Sequence, residues 1–467
     1  MVHQSQRRWS CDRCHASKER CCRTPGRAQC ERCARLRYAC QSDRPHRNPG
    51  RPRRDAGAER APSSSSSSSS SSGSSIVQSR GSPPTTERID TRGPVLERSL
   101  SVNGDLSGPE LRLLDRALAD KFNEQFLLGP GFCEAHRRCL ASHLFSFKPV
   151  LKDAFLAVAL AWEDDGGRLD DGFRRASAAL ASLCSFQVRN RDDVSVCLLL
   201  GGVILTFAYK VRVRDVRAIC SQTLNLVKPV YDLGCVSPHL EGASFLYELA
   251  MSDMAECLFR TSAPTLRIRP PPTTTQVDSL VGLCVGLLPH LYDLCELSHA
   301  MRHGAAAADV AQPLLALELA IRGWRPRLAD ALDDRFSASE VAHLICQAQV
   351  MRIAALIVLH RLRYPFWCQD EAALALAYSI LSLLDMTLLT TGSAPRSVDL
   401  ALSIACLELH EADERACWLR NLSPTGRYST PFFERTKQML DEVWAARRVY
   451  PNLYWYNLGD ILKFDAS

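Results

Sequence analysis

The chain has 467 residues, 46% of them hydrophobic and 23% charged, with a formal net charge of +6. At roughly 100–200 residues per domain this is material for two to four domains and a large core. The longest apolar stretch, Val194–Tyr209, stands alone and includes Ser195, Thr206 and a Gly201-Gly202 pair; it falls short of the about 20 residues a membrane span needs, so a buried core helix and no membrane partner are expected.

The charge is unevenly spread along the chain. Residues 1–54 carry fifteen Lys and Arg against four Asp and Glu, a net +11, whereas the rest carries 42 against 47, a net −5. A basic head on a mildly acidic body suits contact between the head and a polyanion. Met1–Trp9 is polar and basic with no apolar run, so no secretory signal is expected. The cysteines should then occupy a reducing compartment, where regular spacing means metal more often than disulfide. Of the twenty cysteines, seven lie in the first 40 residues at short spacings, and thirteen are scattered from Cys133 to Cys417 among Leu, Ala and Val. The scattered set reads as core filling, since a thiol packs as a small hydrophobe.

The N-terminal set forms a repeat. Cys11-x2-Cys14-x6-Cys21 is followed, 19 residues on, by Cys30-x2-Cys33-x6-Cys40. Cys21 completes the match; its neighbour Cys22 would break it and is expected to be an uncoordinated, partly exposed thiol. Closed structural zinc sites take four tetrahedral ligands. One zinc would leave two of the six thiolates idle, whereas two zincs are satisfied if two thiolates bridge. By the repeat symmetry Cys11 and Cys30 are the bridging pair. One ion would be held by Cys11, Cys14, Cys21 and Cys30, the other by Cys11, Cys30, Cys33 and Cys40. So short a segment has few apolar residues of its own, and metal binding must supply much of its folding free energy. "HASKER" after Cys14 and "ARLRYA" after Cys33 are expected to form two equivalent short helices.

With "CDRC" and the basic "KERC" in place, the segment resembles the fungal Zn2Cys6 binuclear-cluster DNA-binding domain over about 30 residues. The resemblance implies a zinc-dependent nuclear regulator of RNA polymerase II transcription, not an enzyme, that reads CGG-type triplets of double-stranded DNA in the major groove. It implies that Lys18 contacts guanine, as Lys and Arg commonly do. Arg13, Arg20, Arg32 and Arg35 are read as contacts that set position on phosphate, and Arg37, the symmetry mate of Lys18, as a further DNA contact. Control of a secondary-metabolite gene cluster is a habit of the same family.

Residues 41–54 are rich in Pro and Arg, and "NPGRPRR" resembles a single AT-hook core, although a generic basic tail fits it better. Arg51, Arg53 and Arg54 are read as DNA contacts there. Residues 55–105 include ten consecutive serines, Ser63–Ser72, and read as a disordered linker. Residues 41–105 carry no sustained heptads, so either the body makes a homodimer or the protein binds DNA as a monomer. Residues 106–467 are expected to be one large all-helical domain or two intimately packed halves. Apolar residues recur there at helical spacing, as over Leu111–Leu127, with Pro and Gly between the stretches. "DVSVCLLLGGVILTF", "LLPHLYDLCELSH" and "LYWYNLGD" resemble parts of the regulatory region of fungal zinc-cluster regulators, which implies control through an effector, the transcription machinery or co-regulators. No nucleotide-binding glycine loop or G-x-S-x-G is present. "LHEADE" lacks the second His of a zinc protease motif, and His290, His299 and His303 read as ordinary packed or surface histidines.

Overall fold

The computed structural model describes residues 21, 29–35, 40, 106–116, 127–146, 148–162, 169–211, 215–234, 242–270, 277–326, 335–425 and 430–462. The chain divides into two compact units, residues 1–87 and 88–467. The division falls inside the expected linker 55–105; residues 41–105 themselves lie outside the described residues.

In the first unit the described helix is α1, Glu31–Arg35. In the second, fifteen α-helices are described: α2 Gly108–Arg116, α3 Cys133–Ser146, α4 Lys148–Trp162, α5 Leu169–Ser185, α6 Arg191–Val211, α7 Val216–Asp232, α8 Ala243–Arg260, α9 Leu288–Arg302, α10 Ala307–Gly323, α11 Ala338–Arg363, α12 Asp370–Thr391, α13 Asp399–Glu408, α14 Ala412–Thr425, α15 Thr430–Val449 and α16 Leu458–Ile461. Among the described residues there is no strand, only an isolated bridge between Asp278 and Gly282. Neighbours in sequence pack as neighbours in space: α4 on α5, α6 on α7 and α8, α11 on α12 and α13. One apolar core runs through them all.

The helix limits have local causes. Before α2, Ser107 and Glu110 form a reciprocal cap: the Glu110 carboxylate accepts from the Ser107 N–H at 2.8 Å, and Ser107 Oγ accepts from the Glu110 N–H at 3.4 Å. Ser337 and Glu340 repeat this before α11, at 2.9 and 3.3 Å. Each cap satisfies helix N–H groups that have no intrahelical partner. Helix α2 is described as far as Arg116; residues 117–126 of the expected Leu111–Leu127 stretch lie outside the described residues, and Leu127 is in a bend ahead of Pro130.

Helix α6 carries the expected core stretch, buried at every residue from Val194 to Tyr209. Its glycine pair is a contact device. A Cβ on Gly201 would stand 2.3 Å from Thr223 Oγ1 of α7, and one on Gly202 2.4 Å from the Phe245 ring of α8. Two bare backbone positions thus let both neighbours seat directly on the helix. By length and composition α6, α11 and α12 are all long and apolar enough to cross a membrane, so α6 does not stand alone. The apolar window of α6 is 89% buried inside the fold, that of α11 67% and that of α12 33%.

The expectation for the scattered cysteines holds for most of those described. Cys197, Cys220, Cys257, Cys284, Cys295, Cys346 and Cys406 are buried, whereas Cys184, Cys368 and Cys417 are exposed. Burial pushes the Cys284 and Cys406 thiols up to about 12, which keeps them protonated and inert.

The C-terminal "LYWYNLGD" segment is structural. Trp455 is fully buried, stacks near Phe259 at 5.6 Å and donates from Nε1 to the Leu258 carbonyl at 2.8 Å. The chain end thereby locks against the end of α8.

Candidate metal centre

Cys30 immediately precedes α1 and acts as its N-cap. Its carbonyl accepts the first helical bond, from Ala34 N–H at 3.0 Å. Its sulfur accepts from the N–H of Cys33, the third helical residue, at 3.4 Å. The helix therefore starts at Glu31, three residues before the expected "ARLRYA" segment, because a thiol can do what a Ser or Asp side chain does at an N-cap. Residues 36–39 lie outside the described residues.

That start turns Cys33 inward on the first helical turn, beside Cys30. Cys40 returns to them: its sulfur accepts from the Cys30 N–H at 3.3 Å. The sulfurs of Cys30, Cys33 and Cys40 all lie within 4.8 Å of one another. Cys30 and Cys33 are buried, with Cys21 and Cys40 packed against them at half exposure.

The donor set fits a thiophilic ion. Zinc–sulfur bonds of about 2.3 Å in a tetrahedron place sulfurs about 3.8 Å apart, so the three need draw together only slightly. Three thiols can supply three ligands, and the fourth must come from elsewhere. Among the described residues this is the group of three or more His, Cys, Asp or Glu side chains whose ligand atoms converge in this way.

The structure thus brings together Cys30, Cys33 and Cys40 and sets Cys21 beside them. Cys11, Cys14 and Cys22 lie outside the described residues, as do Arg13, Lys18, Arg20, Arg37, Arg51, Arg53 and Arg54. Arg32 lies within α1, and Arg35, its last residue, is exposed. The sulfur N-cap is the feature that sequence reasoning passed over. Its signal was present, since Cys30 stands where a Ser or Asp would be taken for a cap.

The other histidine groups do not converge. His299 and His303 stack edge-on at 4.3 Å on one face of α9, and His290 sits two to three turns away, half-buried. His410 lies between α13 and α14, so "LHEADE" does not share one helix; its ring is 3.3 Å from the Asp370 carboxylate.

Residues 242–461 match the family described as the fungal specific transcription factor domain. The match opens with α8 and closes with α16, a little under half of the chain, and it supports a transcription regulator. No curated protein and no solved structure matches the chain.

Proposed function

We propose that the protein is a zinc-dependent, sequence-specific DNA-binding regulator of transcription by RNA polymerase II, acting in the nucleus. Residues 1–54 form the DNA-binding head, 55–105 the linker and 106–467 the helical regulatory body. In the head, Cys11, Cys14, Cys21, Cys30, Cys33 and Cys40 hold two zinc ions, with Cys11 and Cys30 bridging. Lys18 reads the guanines of a CGG-type triplet, and Arg13, Arg20, Arg32, Arg35, Arg37, Arg51, Arg53 and Arg54 contact the DNA around it. Target genes of a secondary-metabolite cluster fit the same reading.

One coincidence carries the proposal: a chain of which residues 242–461 match a transcription factor domain also gathers three thiols of a C-x2-C-x6-C half-repeat within 4.8 Å of one another, two of them buried. The surplus positive charge of residues 1–54 lies around that group in sequence, as binding to a phosphate backbone requires.

Metal analysis of the full chain, with binding to a CGG-containing duplex, tests this. Two zincs per chain are expected; Cys21→Ser should lose zinc and DNA binding, and Cys22→Ser should keep both. Lys18→Ala should weaken CGG binding by about 1–3 kcal/mol, the usual worth of one specific base contact, with the zinc retained. One zinc per chain, or CGG affinity indifferent to Lys18→Ala, overturns it.

A further inference from the structure

Helix α12 carries more apolar side chains than the body buries. Its apolar window is 33% buried, against 89% in α6. One face, with Ala373, Ala377, Ile380, Leu381 and Leu384, packs into the core. On the opposite face Ala372, Ala375, Ser379, Ser382, Met386 and Leu389 are all exposed, Met386 by 61% and Leu389 by 79%. These six alternate at three- and four-residue spacing, which is the spacing of a coiled-coil seam. At 1.5 Å per residue the seam is about 26 Å long.

This face offers little to water. Ser379 Oγ donates to the Ala375 carbonyl at 2.8 Å and Thr390 Oγ1 to that of Met386 at 2.7 Å, so both hydroxyls are taken up by the helix's own backbone. The helix holds no Lys or Arg; its charges are Asp370, Glu371 and Asp385. An exposed apolar face of this kind marks an interaction site. A membrane surface suits it poorly, because interfacial helices carry Lys and Arg beside their apolar face.

The face is complementary to itself. Its first half is small, with Ala372, Ala375 and Ser379, and its last half is large, with Met386 and Leu389. Two copies laid antiparallel, with the two-fold axis midway between Ser379 and Ser382, set Ala375 against Met386 and Ala372 against Leu389. The two-fold repeats both matches at the other end, as a self-complementary dimer patch requires. Small residues facing large ones close the seam without voids. A parallel pair would put alanine on alanine and leave a gap, and would bring Glu371 against its own copy. Antiparallel pairing keeps the two Asp370-Glu371 ends apart, and juxtaposed like charges are costly.

We propose that the outer face of α12 binds a second copy of this chain, helix antiparallel to helix, and so makes the body a homodimer. The contact uses no residue of the zinc-binding head, so its failure and that of the DNA-binding reading are separable.

The full chain, without DNA, is followed by sedimentation equilibrium and light scattering from about 1 to about 100 µM. A reversible dimer with a micromolar Kd is expected, since one short seam lies at the low end of specific interfaces. Ala375→Lys and Met386→Glu should each weaken self-association at least about tenfold, because each places an unpaired charge in the seam. Both positions are exposed, and circular dichroism and melting temperature confirm the fold; Ser382→Glu supplies a further variant if either fails to fold. Mixed in equal amounts, Ala375→Lys and Met386→Glu should form a one-to-one heterodimer, because antiparallel pairing sets the introduced lysine opposite the introduced glutamate. The proposal is overturned if the parent is monomeric at about 100 µM, if the folded variants dimerise as the parent does, or if the mixture associates no better than either variant alone. A monomeric parent that binds phosphatidylcholine vesicles, and loses them on Met386→Glu, overturns it in favour of a membrane.

Discussion

At the scale of single residues, burial rather than bonding decides the chemistry of the body. His136 of α3 is 6% exposed and lies 5.6 Å from the Phe245 ring. Desolvation drives its pKa down from 6.5 to about 4. Between those values the unfolded chain takes up a proton that the folded chain refuses, so stability falls as pH drops from 6.5 toward 4. Over that window the loss should approach about 3 kcal/mol, at 1.36 kcal/mol per pKa unit. Denaturant melts of wild type and His136→Leu should show it as a slope present in the first and missing in the second. Cys30 makes the opposite point in the small unit. There a thiol is placed by bonds, capping α1 with its sulfur while Cys40 reaches back to its N–H. Of the Cys21-Cys22 doublet only Cys21 completes the repeat; Cys21 packs against Cys30 and Cys33, and Cys22 lies outside the described residues.

At the scale of elements, short sequence signatures set helix limits, and one of them also joins two elements. Ser337-x-x-Glu340 caps α11, and the same carboxylate accepts from the Gly131 N–H at 2.8 Å, tying the helix start to the turn before α3. Burial would raise the Glu340 pKa, but the Gly131 and Ser337 hydrogen bonds to its charged form outweigh that and hold it below 4.5. A depressed carboxylate stabilises the fold above its unfolded pKa, and that contribution is lost as pH falls below about 4.5 through the folded value. Ser337→Ala should cost about 1 kcal/mol. Glu340→Ala should cost more, about 2 kcal/mol, because it also strands Gly131. Glu340→Gln should flatten the acid limb of the stability profile, as read by urea melts from pH 3 to pH 6. The glycine pair of α6 is a second element-level device: read alone it weakens a membrane span, and in the fold it admits Thr223 and Phe245.

At the scale of the whole molecule, one buried ion pair clamps the C-terminal helices. Arg361 of α11 and Glu408 of α13 are both fully buried. Arg361 Nε donates to the Glu408 carboxylate at 3.0 Å and Nη2 at 2.6 Å. Its Nη1 satisfies the carbonyls of Pro365 and Cys368, both at 2.9 Å, and Nη2 also reaches Asp370 at 2.7 Å. Phe366 lies between this guanidinium and that of Arg447, at 5.0 and 4.7 Å. Every nitrogen of Arg361 is therefore used to hold the α11–α12 turn against α13. Removing one partner leaves a buried charge, so Glu408→Ala should destabilise by about 3–5 kcal/mol. The double variant Arg361→Met/Glu408→Leu should recover much of that, which calorimetry on the three proteins would read directly.

The amino-acid sequence by itself determined the all-helical class of the body and the pairing of cysteines into two equal halves. Both depend on residues close in the chain, where periodicity, caps and fixed spacings act through geometry that any local segment obeys. The start of α1 differs from the expectation because the capping atom is a sulfur. Only the tertiary structure decided that Arg361 meets Glu408 and that Trp455 closes the end of α8. Those contacts join residues tens to hundreds of positions apart, each of which is an ordinary helix residue in its own surroundings. Which buried polar group finds which partner is fixed by how helices pack, and packing energy belongs to no short segment.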